Sequence, residues 1–99
     1  MLNITKTAEN GAVTFALSGR LDTATAPELE QTLIASLDGV RELTLDFSNL
    51  EYISSAGLRV LLGAQKTMNK QGTMKITHVN ASIMDIFEVT GFSDILTIE

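Results

Sequence analysis

Between Leu2 and Phe92 the spacing of apolar residues switches repeatedly between two and three or four, which restricts the chain to a sheet with helices packed on it. Leu2 and Ile4, then Val13, Phe15 and Leu17, alternate with polar residues on either side of Asn10-Gly11. That dipeptide suits the two positive-φ positions of a tight hairpin, so two antiparallel strands are expected first. Leu29, Leu33 and Leu37, with Ala26 and Ile34, then recur at helical spacing, and Asp38-Gly39 ends the run. Thr25 and Glu28 stand at capping-box spacing with Pro27 in the first turn, which predicts a helix starting at about Thr25.

Leu43, Leu45 and Phe47 alternate in RELTLDF and read as a third, central strand, followed by a loop up to the serines at 54 and 55. Leu58, Leu61, Leu62, Gln65 and Met68 fit one face of a second helix that stops before Gln71-Gly72. TMKITHV supplies a fourth strand. A short third helix follows, with Asn80 as its N-cap, Ile83, Ile86 and Phe87 on one face, and Gly91 at its end. DILTIE is expected as an edge strand or a last turn. The fold class is therefore α/β, in the order ββαβαβα with a short tail, as one domain over residues 1–99.

Composition narrows the function. With 99 residues and 44% hydrophobic content, the chain suits a single core burying about 60–70% of the unfolded surface. No cysteine is present, so neither disulfides nor thiolate chemistry enters, and a reducing cytoplasm is the expected setting. No run approaches the ~18 apolar residues of a membrane span, and no membrane partner is expected. Seven basic side chains stand against twelve acidic ones for a net charge of −5. The basic ones are scattered singly along the sequence, which argues against direct nucleic-acid binding. The glycines are never clustered as a phosphate-cradling loop requires, and neither a cofactor nor a metal site is expected.

The adjacent hydroxyls Ser54 and Ser55 are the candidate site. One serine serves as a helix N-cap, and a cap needs only one. A second hydroxyl at a helix N-terminus, where free N–H groups favour a negative group, can be a nucleophile or a phosphate acceptor. The nucleophile reading is thin, because G-x-S-x-G would need glycine where Ile53 stands, and the only possible base is the single histidine, His78. A phosphate acceptor asks less of its own chain, since a partner kinase brings the catalytic parts.

LSGRLDTATAPELE, LTLDFSNLEYISSAGLRVLLGAQK and IFEVTGFSDILTIE together resemble the STAS domain of bacterial anti-sigma factor antagonists, in that family's order and spacing over nearly the whole chain. The resemblance implies a mixed four- to five-stranded sheet. It also implies that Ser55 is phosphorylated by a partner that is both anti-sigma factor and serine kinase, that the unphosphorylated form binds this partner and frees a sigma factor, and that a serine phosphatase reverses the mark. The family pattern D-S-x-G-L maps to Ser54, Ser55, Ala56, Gly57 and Leu58. Ser54 thus stands where the pattern has aspartate, and is itself a second candidate acceptor. By the same likeness Gly19, Asp22 and Thr25 join the partner-facing surface; their plain readings are a turn glycine, a solvated charge and an N-cap. Arg59 is the cation nearest to Ser55 in that stretch. Other STAS assemblies, such as a stress-signalling or lipid-transport complex, and a serine hydrolase using Ser55 and His78, are the alternatives.

Overall fold

A computed structural model describes all residues, 1–99. Strands β1 (Leu2–Glu9) and β2 (Ala12–Leu21) pair antiparallel around Asn10 and Gly11, whose φ values of 49° and 83° are those a two-residue hairpin loop demands. Helix α1 (Ala26–Ser36) leads into β3 (Glu42–Ile53), and α2 (Ser55–Gln71) into β4 (Thr73–Thr77). β3 lies parallel to both β2 and β4, in the sheet order β1-β2-β3-β4.

Both crossovers step in the same direction, so right-handed connections place α1 and α2 on one face of the sheet. Burial agrees: the register rows Val13, Leu43, Met74 and Phe15, Leu45, Ile76 are buried, whereas Thr14, Thr44, Lys75 and Ala16, Asp46, Thr77 on the opposite face are partly or fully exposed. Parallel strands are usually covered on both faces; here threonines and charges let one face meet water. Helix α3 (Ala81–Thr90) closes the covered side by setting Phe87 against Phe47, ring centroids 6.4 Å apart. Asn80 caps it as expected, accepting from the Ile83 N–H at 2.9 Å, and Gly91 ends it at φ 83°.

Several expectations need correction. β3 does not stop near Phe47 but continues to Ile53, so the expected loop is strand. Two bulges in β3 opposite Ala16–Ser18 and Gly19–Arg20 change its core-facing interval from two to three, through Phe47, Leu50 and Ile53, which hid the strand from a period-two reading. Ile34 is 69% exposed instead of facing the core, and Leu62 is only half-buried, while Val60 and Ala64 are buried in its place. The tail is neither a full strand nor a simple turn. A short 3₁₀ turn (Phe92–Asp94) precedes one parallel bridge, in which the Ile76 N–H donates to Thr97 O and the Glu99 N–H to Ile76 O, blunting the outer edge of β4.

Candidate functional site

Parallel pairing of β2 with β3 ends at Leu21 and Ile53, so the loops that follow, Asp22–Thr25 and Ser54, emerge side by side. The Ser54 N–H donates to Leu21 O at 2.9 Å and ties them together. At this edge the structure assembles the expected residues of both segments.

Ser54 is the cap of α2. Its backbone is extended, its carbonyl accepts the first helical bond from Leu58 N–H at 3.0 Å, and its hydroxyl accepts from Gly57 N–H at 3.4 Å. Ser55 is the first residue of the helix, exposed, with its hydroxyl unengaged by the protein. The pair therefore divides the two roles: Ser54 half-buried and structural, Ser55 open to solvent beside the free N–H groups of the first turn.

Gly57 explains how the helix start comes so close to the sheet. It is buried, and a Cβ there would lie 2.8 Å from both Ile53 Cγ1 and Leu21 Cγ. Ala56 packs half-buried against the same core, and Arg59, four residues after Ser55, is exposed. A side chain four positions on lies one turn above on the same helical face.

Across the edge, Thr25 occupies the N-cap position of α1, yet its hydroxyl makes no cap bond and Glu28 returns none. The capping-box expectation therefore fails. Thr25 Oγ1 accepts from Asp22 N–H at 2.9 Å and lies 2.8 Å from Arg20 O, to which it donates. Asp22 does the turn-forming work, its Oδ1 accepting from the N–H groups of Ala24 at 3.0 Å and Thr25 at 3.1 Å. The Thr25 N–H holds the Asp22 carboxyl below the usual carboxylate range, helped by the Ala24 N–H and, when the Thr25 hydroxyl turns its one proton from Arg20 O to Asp22 Oδ1 3.2 Å away, by that hydroxyl, against a smaller desolvation penalty. Gly19 has φ 102°, and a Cβ there would collide with the Met1 carbonyl, so backbone geometry accounts for this glycine.

One arrangement escaped the sequence reading. Arg20 and Tyr52 are register partners, and the Arg20 guanidinium sits 4.3 Å from the centre of the Tyr52 ring while its Nε is 3.8 Å from Asp22 Oδ2. The pair became legible only once β3 was known to run past Phe47.

His78 is not brought to the serines. Its Nδ1 lies 3.1 Å from Asp46 Oδ1, and its backbone takes φ 59° just after β4. Asp46 precedes Ile53 by seven strand residues, on the order of 20 Å at ~3.3 Å each. The Ser55–His78 nucleophile and base are thus not assembled. The Asp46 carboxyl is held low chiefly by the Ser48 N–H, then by the Ser48 hydroxyl and His78, against partial desolvation.

Comparison with known proteins identifies the family and the fold. A family model described as "Mlab, STAS domain" matches residues 4–97. An anti-sigma-B factor antagonist of Staphylococcus aureus is 33% identical over 97 residues, covering 96% of this chain and 90% of that one. An anti-sigma factor antagonist from Mycobacterium paratuberculosis superposes with a TM-score of 0.89 at 23% identity, over 99% of this chain and 85% of the other. The Bacillus cell fate determinant SpoIIAA, solved in its phosphorylated form, superposes with a TM-score of 0.76 at 15% identity, over 98% and 91%. With the family model spanning almost every residue and the mixed four-stranded sheet shared with these structures, the chain belongs to the STAS domain family.

Proposed function

We propose that this protein is an anti-sigma factor antagonist: unphosphorylated, it binds an anti-sigma factor that is also a serine kinase and so releases a sigma factor, and phosphorylation of Ser55 ends that binding. The observation that carries the reading is the division of labour at the start of α2, where Ser54 caps the helix and Ser55 offers an unengaged hydroxyl to solvent. The names of its relatives support the same role.

Physical reasoning supplies the switch. A phosphoserine carries about −1.5 to −2 charges at pH 7, and at a helix N-terminus the dipole returns roughly 0.3–1 kcal/mol of the cost. The fold therefore tolerates the mark. An interface does not: two like unit charges ~4 Å apart at an effective dielectric of ~20 repel by about 4 kcal/mol, close to three powers of ten in affinity before salt screening. The docking surface comprises Ser54, Ser55, Ala56, Gly57 and Arg59 with Asp22 and Thr25, while Gly19 shapes the strand that leads to them. Catalysis belongs to the kinase, which brings its own nucleotide, and to a serine phosphatase that restores the free hydroxyl, all within the cytoplasm.

The test is a binding comparison with the serine kinases of the source genome that act on anti-sigma pathways. Ser55→Ala is expected to remain a constitutive binder, and Ser55→Asp and Ser55→Glu to lose capture of the cognate kinase. Equal binding by all three would reject the proposal.

A further inference from the structure

The solvent face of α2 carries a feature that the Ser55 reading alone does not use. Ser55, Arg59, Lys66 and Lys70 are all exposed, and at ~100° per residue they fall within about 60° of arc, a strip about 22 Å long at ~1.5 Å rise. None of the three cations makes an ion pair within the protein. The helix SAGLRVLLGAQKTMNKQ contains no acidic residue, so all twelve acidic side chains and the other four basic ones lie outside it. A chain of net charge −5 thus concentrates unpaired positive charge on one helix face that begins at the candidate acceptor.

On sequence grounds Arg59, Lys66 and Lys70 belong to the solvated faces of the second helix, where any of them could meet an acidic patch on a partner; the structure gathers them into one exposed strip. Beside it runs a groove of about 410 Å³ between α1 and α2, lined by Leu33, Ile34, Val60 and Ala64, with Ile34 69% exposed and Glu30 and Asp38 on the α1 side. Arg59, Lys66 and Lys70 do not line the groove itself, whose α2 wall is Val60, Gly63, Ala64, Thr67 and Gln71; they lie on the solvent side of that wall, with Glu30 and Asp38 on the α1 side.

We propose that this face of α2 is the docking strip for an acidic surface segment of the anti-sigma partner, and that the Ser55 phosphate acts partly by cancelling the strip's charge. This deepens the proposed function and rests on it. The occupant follows from charge complementarity. An acidic segment gains from Arg59, Lys66 and Lys70 and is held off the α1 rim by Glu30 and Asp38, which fixes its orientation. Phosphorylation adds about −2 charges one turn from Arg59. That takes the strip from three positive charges to about one and engages Arg59 within the same helix.

The experiment measures binding of the kinase that phosphorylates Ser55 to the full chain, at low and high salt, for wild type, Lys66→Glu, Lys70→Glu and the control Lys75→Glu. Lys75 is on the open sheet face near Glu99, so its reversal makes the same change in net charge away from the strip. Lys66→Glu and Lys70→Glu are each expected to weaken binding about three- to tenfold at low salt, chiefly through slower association, with the difference shrinking near 0.5 M salt. Lys75→Glu is expected to change binding by less than about twofold. If wild type binds and phosphorylation abolishes binding, yet the α2 reversals behave like the control, the strip is overturned and the Ser55 switch stands. If wild type does not bind, both fall. A single-stranded DNA oligonucleotide or phosphatidylglycerol vesicles binding the strip as tightly as the kinase would also overturn it, marking a general anion surface.

Discussion

Replacing Gly57 with alanine tests whether the start of α2 is seated as tightly on the sheet as the geometry requires. The added methyl would lie 2.8 Å from Ile53 Cγ1 and 2.8 Å from Leu21 Cγ, with Leu21 Cδ2 at 3.1 Å. Comfortable carbon contacts fall at ~3.5–4.0 Å. Ile53 is 2% exposed and Leu21 0% exposed, so neither side chain can swing into solvent to make room. Overpacking of this kind costs about 1–3 kcal/mol, and two simultaneous contacts place it in the upper half of that range. Alanine recovers at most ~1 kcal/mol of helix propensity over glycine. The net loss is therefore about 1–2 kcal/mol, a fall in Tm of roughly 5–15 °C for a domain of this size. Gly63 supplies an internal control: it lies in the same helix, and a Cβ there meets nothing within 4 Å. Gly63→Ala should then raise stability by up to ~1 kcal/mol. Urea unfolding followed by circular dichroism reads both, and a Gly57→Ala protein as stable as wild type or more so would refute the steric argument.

Thr25→Ala should cost about 1 kcal/mol by removing the hydroxyl that joins Arg20 O to Asp22 N–H; Glu28→Ala should fall within ~0.5 kcal/mol of wild type because no capping box forms, and urea midpoints distinguish the two. The carboxyls of Asp22 and Asp46 both titrate below their ordinary value of 3.8, so each contributes stability above that pH that is lost as pH falls through the lower folded value. Accordingly, Asp22→Asn and Asp46→Asn should be less stable than wild type at pH 7, with the gap closing below pH 3.8 in unfolding curves measured across that range; a gap unchanged by pH would contradict the assigned hydrogen bonds.

The residues themselves explain how far the fold could be read. Asn10-Gly11, Asn80 and Gly91 act through local backbone preferences, and each does in the structure what its type predicts. Phe15, Leu45 and Ile76 reveal the covered sheet face because alternation survives in those stretches. Alternation breaks at the β3 bulges, which are set by pairing with β2 across a long separation, and no local pattern announces them. Thr25 misled for a related reason: its hydroxyl turns back to Arg20 and Asp22, a choice made by the β2 end and not by the helix it precedes. Ile34 fits the helical period and yet borders a groove, since α1 is narrower in contact than its apolar stripe. At the site, helix-start chemistry could name both serines but not separate them. Only the cap bond from Gly57 N–H to Ser54 Oγ leaves Ser55 as the free hydroxyl.

The most direct measurement combines phosphate mapping with stability. The protein is incubated with ATP and the serine kinase that captures it, the modified residue is located by mass spectrometry, and the thermal midpoint of the phosphorylated form is compared with that of the free one. A single phosphate on Ser55 is expected, with the midpoint shifted by no more than about 5 °C, because the helix terminus offsets roughly 0.3–1 kcal/mol of the added charge, and with kinase binding lost. Phosphate on Ser54 instead, or a Ser55 phosphate that unfolds the protein or leaves kinase binding intact, would contradict an exposed hydroxyl acting as a charge switch.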